Sequence, residues 1–148
     1  MLNISVINNH SGFQMSNFSD VAAFHDKYEV PTQTEVALLP DDVAQFRGKF
    51  IQEELDEFFK ASSEGNLVEA IDALIDIVYV ALGTADLMGL SEEQWEAHWA
   101  EVQRANMEKV RVASAADSKR GHSFDVKKPA GWKAPDHVKI LEQFNVKQ

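Results

Sequence analysis

The chain has no cysteine, so neither a disulfide nor a thiolate metal site can contribute to it. It is also poor in positive charge. Only 14 Lys and Arg stand against 24 Asp and Glu, a formal net charge of -10 at pH 7. A nucleic-acid-binding surface needs a basic stripe, so nucleic acid is not expected as a partner. An uninterrupted apolar run of membrane-spanning length is missing as well. The longest apolar segment, residues 67–88, is broken by Glu69, Asp72 and Asp76, which argues against a membrane span. The opening residues MLNISVINNHSGF lack a basic stretch followed by an apolar one, so no secretory leader is expected and the cytoplasm is the expected compartment. No long segment alternates with period two, so the strands of a sheet are not expected either.

What remains is helical patterning with clear punctuation. A short helix is expected from about Ser19 to Glu29, with Val21, Phe24 and Tyr28 on one face and Pro31 behind it, because the residue before a proline disfavours helix. Pro40-Asp41-Asp42 places acids at the positive end of a second helix, which carries Phe46, Phe50, Leu55, Phe58 and Phe59 to about Ala61 before the turn Ser62-Ser63-Glu64-Gly65. Asn66 with Glu69, and Ser91 with Gln94, have the form of capping boxes opening a third and a fourth helix. Gly89 sits where the third would close. The fourth is expected to reach about Arg111 with Trp95, Trp99, Val102 and Met107 as its apolar face. Residues 1–15 read as an irregular arm. From 112 onward the chain is polar and rich in Ser, Lys, Gly and Pro, a tail with one short helix after Pro135. The expected architecture is all-α: a single domain over 1–148, with a four-helix core over about 18–111 and an irregular C-terminal extension over about 112–148.

The chemistry is signalled by acids in apolar company. In LVEAIDALIDIVYVALGTADLM, Glu69, Asp72 and Asp76 are spaced three and four apart and stack on one helix face. Carboxylates crowded in low dielectric repel one another and are costly to desolvate, so such a stripe needs a partner, either a divalent cation or Lys and Arg side chains paired along a polar seam. Glu69 has the plainer explanation of a helix-start acid. One helix earlier, FRGKFIQEELDEFFKA carries Glu53, Glu54 and Glu57. Glu54 and Glu57 share a face with Arg47 two turns before them, and Lys60 offers Glu53 or Glu57 a surface ion pair as the plain alternative. Facing carboxylates on two helices suit Mg²⁺, which takes hard oxygen ligands, keeps several waters and accompanies phosphate chemistry.

The fourth helix adds cations in EVQRANMEKVR, with Arg104, Asn106, Lys109 and Arg111. Lys109 and Arg111 would complement a helix C-terminus, and Arg and Lys are also what a triphosphate needs opposite its metal. The five histidines are scattered, and none has a Glu three residues before it, so the Glu-x-x-His signature of di-iron bundles is missing. His25 reads as a surface or boundary residue. No P-loop or nucleophile elbow is present.

With these residues the chain resembles the MazG-like all-α nucleoside triphosphate pyrophosphohydrolases of phage and bacterial type, related to phosphoribosyl-ATP pyrophosphohydrolase and the dimeric dUTPases. Their E-E-x-x-E motif is matched by Glu53-Glu54-Leu55-Asp56-Glu57, and the end of their second motif by Asp76-Ile77-Val78-Tyr79. The Glu expected three residues before that Asp falls on Ala73. Either Asp72 supplies the missing carboxylate, or the motif is read as Glu69-Ala70-Ile71-Asp72. The segments VAAFHDKYEVP, YVALGTADLMGL and EVQRANMEKV, the last with the R-x-N-x-x-K residues Arg104, Asn106 and Lys109, and the tail GHSFDVKKPAGWKAPDH extend the resemblance over roughly residues 18–137.

The resemblance implies Mg²⁺-dependent hydrolysis of a (deoxy)nucleoside triphosphate to the monophosphate and pyrophosphate, with Mn²⁺ as a substitute metal. It implies Glu54, Glu57, Asp72 and Asp76 as metal ligands and Glu53 for water activation or a second metal. Arg47, Arg104, Asn106 and Lys109 would meet the substrate. A homodimer or homotetramer is implied, in a host's cytoplasm if the chain is phage-encoded. A dUTP-specific or alarmone hydrolase and a non-catalytic nucleotide-binding helical protein are the alternatives. Lys127, Lys128, Trp132 and Lys133 of the tail could fold over a nucleotide, with Trp132 stacking on a base, or pack elsewhere.

Overall fold

The structure is a computed structural model and describes residues 16–147; the arm expected over residues 1–15 lies outside them. Its elements are α1 (Asn17–Lys27), α2 (Asp41–Glu64), α3 (Leu67–Leu87), α4 (Glu92–Met107), β1 (Val110–Arg111), β2 (Val126–Lys127) and α5 (His137–Gln143). Four helices and a C-terminal extension are thus present in the expected order. Among the described residues no helix is long and apolar enough to cross a membrane.

The helix ends follow local chemistry. Ser16 and Ser19 form a reciprocal capping box at α1, and Ser91 and Gln94 form another at α4. Each box satisfies two N–H groups that a helix start leaves open. The Asn66 side chain accepts from the Glu69 N–H at α3, without the return bond from Glu69. Three boundaries differ from the sequence reading. The first helix ends at Lys27, two residues early, because Glu29 takes φ 52° and the Val30 N–H turns back to the His25 carbonyl. The second runs three residues past Ala61, since neither Ser62 nor Ser63 breaks it and Gly65 in the left-handed region (φ 69°) does. The fourth stops at Met107, and the residues after it leave the helix to build a two-stranded antiparallel ladder, Val110 opposite Lys127 and Arg111 opposite Val126. Two-residue strands are too short to register as alternation in a sequence.

The core is centred on α3, the most apolar helix. Helix α2 packs along one side of it, where Ala61 and Ala73, 4% and 2% exposed, let the backbones approach. Helix α1 packs on another side through Phe18 and Val21, which meet Leu82 and Ala85, with Tyr79, Leu90 and Trp95 closing the cluster. Each such large side chain contributes about 1.5–3 kcal/mol on burial. Trp95 brings α4 to this cluster by stacking on Phe18 with ring centres 6.0 Å apart. Trp99 and Met107, expected on the same apolar face, are exposed. The loop between α1 and α2 is held to the end of α3 by the Gln33 and Ala37 N–H groups, which donate to the Leu87 and Met88 carbonyls.

The extension folds back on α4. The Trp132 indole donates to the Ala105 carbonyl at 2.7 Å, with Lys128 4.3 Å and Lys109 5.7 Å from its ring centre. Helix α5 is tied to α4 by the Asp136 N–H on Glu101 and by a contact of 2.9 Å between the Nδ1 atoms of His98 and His137. Burial and the neighbouring His137 both lower the His98 pKa.

Candidate active site between the second and third helices

Helices α2 and α3 meet at a buried carboxylate. Glu54 on α2 is turned toward α3 and is 9% exposed, while Asp76, half-buried, looks back from α3. Together with Arg47, His25, Phe24, Phe50, Tyr79 and Val80 they line a cavity of about 180 Å³. Helical spacing explains the grouping. Arg47 and Glu54 are two turns apart on α2, and Asp76, Val80 and Gly83 follow one another up the facing stripe of α3. Phe24 meets Tyr79 edge-on at 5.7 Å, and Arg47 lies over Phe50 at 5.6 Å, so one wall is aromatic and the other end is charged.

The electrostatics of the site come from crowding. The pKa of Glu54 is raised, first by burial and then by the charges of Glu57, Asp76, Glu53 and Asp72 in that order. None of these five carboxylates makes an ion pair with a described residue. Among the described residues no Lys or Arg is therefore paired with the polar seam, Lys60 included. Such a set of hard oxygen donors in want of charge fits a divalent cation in its chemistry. Among the described residues, however, no three His, Asp or Glu side chains are gathered tightly enough to enclose an ion. A cation here would keep much of its water, as Mg²⁺ does.

The remaining candidates are distributed around this cavity rather than in it. Glu53 and Glu57 are exposed and line an open groove along α2 with Lys49, Gln52, Asp56 and Lys60. Glu57 stands on the edge, since its charge acts on Glu54 more than that of any other acid. Asp72 is exposed, and the neighbouring Ala73 is 2% exposed in the helix interface. Position 73 therefore carries a packing methyl, and a carboxylate there would displace α2. Asp72 stands at the outer edge of the seam, where its charge still acts on Glu54, and Glu69 is exposed at the helix start.

Arg47 is fixed rather than free. Its Nε donates to Thr84 Oγ1 at 3.0 Å and its Nη2 to the Val80 carbonyl at 2.8 Å, and burial pulls its pKa below the ordinary value. The absent side chain of Gly83 makes room for it: a Cβ there would stand 2.9 Å from Arg47 Nη2 and 3.2 Å from His25 Cε1.

His25 corrects the sequence reading most. It is no surface or boundary residue but 4% exposed, with Nδ1 2.5 Å from Asp86 Oδ2. The signal that could have found it is its place four residues after Val21 on the apolar face of α1. Asp86 carries no comparable signal, because a lone acid near a helix end has a plain solvent-facing explanation.

Arg104, Asn106 and Lys109 form a separate cluster at the end of α4. Arg104 is paired with Glu101 and Glu108, each at 2.8 Å, which raises the guanidinium pKa further. Lys109 donates to Asn106 Oδ1 at 2.8 Å. In a single chain none of the three lines the Glu54–Asp76 cavity. Trp132, tied to Ala105, is held against α4, away from that cavity.

A helical scaffold here sets opposed carboxylates and a fixed guanidinium around an aromatic-walled cavity, an arrangement whose chemistry suits phosphate. The family comparison agrees: the phosphoribosyl-ATP pyrophosphohydrolase model matches residues 21–106, more than half of the chain. The chain belongs to that family, within the MazG-like all-α nucleoside triphosphate pyrophosphohydrolase superfamily. The family hydrolyses phosphoanhydride bonds of nucleotides. A comparison with curated proteins returned no match.

Proposed function

We propose that the chain hydrolyses a nucleoside or deoxynucleoside triphosphate to the monophosphate and pyrophosphate, with Mg²⁺ as cofactor and Mn²⁺ as a substitute. The observation that carries this reading is the single cavity in which Glu54, Asp76 and Arg47 meet, beside acids with no cationic partner among the described residues. Glu54 and Asp76 would hold the metal from facing helices, with Glu57 and Asp72 at its margin. The metal supplies charge neutralisation for the phosphates and orientation of the attacked centre. Arg47 has one face against α3, and the fork geometry of its guanidinium suits phosphate oxygens. Phe24, Phe50 and Tyr79 offer an apolar wall to the organic part of the substrate. The reaction belongs in the cytoplasm, where its substrates are made.

The working protein is a homodimer or homotetramer. Support comes from the outer face of α3, where Leu67, Ile71, Leu74, Ile75 and Val78 recur at helical spacing and are 71%, 53%, 47%, 60% and 47% exposed. A stripe of this kind is an interface that a second copy would cover. A second copy could also bring Arg104, Asn106 and Lys109 to the cavity they do not reach in their own chain. Light scattering of wild type against Ile75→Glu tests this; a monomeric wild type would refute it.

Pyrophosphate release from a panel of canonical and deoxy nucleoside triphosphates, with Mg²⁺ and with EDTA, tests the activity. The expected result is metal-dependent release that Glu54→Gln and Asp76→Asn abolish while helicity is retained. No release from any nucleotide would refute the reading. Asp72→Asn tests the part Asp72 plays: a large loss makes Asp72 a ligand, and full activity makes it a bystander.

A further inference from the structure

Water activation is the one chemical task for which the cavity residues so far provide no group. Glu53, the sequence candidate, is exposed on the outer groove of α2 and does not line the cavity. His25 does line it. Its ring comes from α1, is 4% exposed, and is fixed from two sides. Asp86 of α3 takes the Nδ1 hydrogen at 2.5 Å, and Gly83 lies beneath the ring with no side chain to push it away. With Nδ1 as donor, the neutral imidazole carries its lone pair on Nε2. Nε2 has no hydrogen-bond partner among the described residues, yet no buried polar side-chain atom among them is left unsatisfied. That nitrogen is therefore open to solvent, and the space bordering the ring is the cavity shared with Glu54, Asp76 and Arg47.

We propose that His25 is the general base of the pyrophosphohydrolase reaction and that Asp86 is its positioning residue. The inference rests on the triphosphate reading above. A water between Nε2 and the substrate attacks the α-phosphorus. As its oxygen bonds to phosphorus, its proton passes to Nε2, and the bond from phosphorus to the bridging oxygen breaks with its electron pair leaving on pyrophosphate. The imidazolium then returns its proton to solvent or to the leaving group. Asp86 keeps the Nδ1 hydrogen throughout, holds the tautomer and stabilises the imidazolium, the division of labour seen in other His–carboxylate pairs. Arg47, beside the ring, opposes the cation that forms, while Glu54 and Asp76 across the cavity favour it; Tyr79 is the remaining titratable group on the wall.

The alternative is a purely structural tie between α1 and α3, and His25→Asn separates the two. The Asn amide can still donate to Asp86, so the tie survives, but nothing remains at the Nε2 position. The expected result is a folded protein with KM within about threefold of wild type and kcat at least about 100-fold lower, the scale of a lost general base. A kcat within threefold of wild type, or a loss lying wholly in KM, would overturn the proposal. Should His25→Asn not fold, Asp86→Asn decides, since it leaves the buried ring in place. A kcat at least tenfold lower with KM within about threefold of wild type supports the dyad; a wild-type kcat overturns it. Wild type that releases no pyrophosphate from any nucleotide brings down the function reading and this inference together. Active wild type with an equally active His25→Asn brings down the inference alone.

Discussion

Replacing Gly83 by alanine adds one methyl group at the most crowded point of the cavity. The new Cβ would lie 2.9 Å from Arg47 Nη2, 3.2 Å from His25 Cε1 and 3.3 Å from His25 Nε2, closer than carbon can sit beside a guanidinium nitrogen. Backbone is not in the way, so the side chains must move. The His25 ring is held by Asp86, which leaves Arg47 as the group that yields. Its withdrawal breaks the bonds to Thr84 Oγ1 and the Val80 carbonyl, 3.0 and 2.8 Å long. A hydrogen bond from a charged donor is worth about 1.5–3 kcal/mol. Taking the lower figure for each gives a loss of about 3 kcal/mol, against a gain of ~1 kcal/mol for Ala over Gly in a helix interior. The net destabilisation of about 2 kcal/mol corresponds to a fall in Tm of about 4–8 °C for a chain of this size. Activity should fall further than stability, at least about tenfold in kcat/KM, because the displaced Arg47 guanidinium faces the cavity. Thermal denaturation with pyrophosphate release on the same preparation checks both. A Gly83→Ala protein as stable and as active as wild type would show that Arg47 swings aside without cost and is not fixed by α3.

The Glu54 pKa is raised by burial and by its acidic neighbours, so its ionisation costs the metal-free fold stability. That stability is present below the ordinary Glu range and lost as pH rises through the folded value; in EDTA, Glu54→Gln should thus be more stable than wild type at pH 8 and about equal to it near pH 4, and equal melting at both would contradict the crowding. Arg104 and the Asp136 N–H hold the Glu101 carboxyl down at about 2. Its contribution is present above the ordinary Glu value and lost as pH falls toward 2; Trp132 fluorescence should report the extension loosening on acidification, with Glu101→Gln loosened already at neutral pH. At the end of α3, Gly89 has φ 83° and a Cβ there would stand 2.7 Å from the Glu35 carbonyl oxygen. Backbone cannot swing aside as a side chain does, so Gly89→Ala should cost about 2 kcal/mol or more, measured by urea denaturation, and an unchanged midpoint would refute the contact.

The sequence by itself determined the helices, because caps, glycines and apolar spacing are local. Ser91 with Gln94, Gly65 and Gly89 mark their boundaries within a few residues of where they fall. It also determined that Glu54 and Arg47 share a face of one helix, since that needs only the helical repeat. The ladder after Met107 could not be read, because each strand is two residues long and exists only by pairing with the other. Nor could the locations of charged groups relative to one another across helices. Glu53 and Glu54 are neighbours in the chain, yet one is exposed and the other buried, and which one faces α3 depends on how α2 is rotated in its packing. Asp86 and His25 are sixty-one residues apart and each is unremarkable alone. Only the docking of α1 on α3 brings them together at a cavity, because burial and proximity are properties of packed helices and not of their sequences.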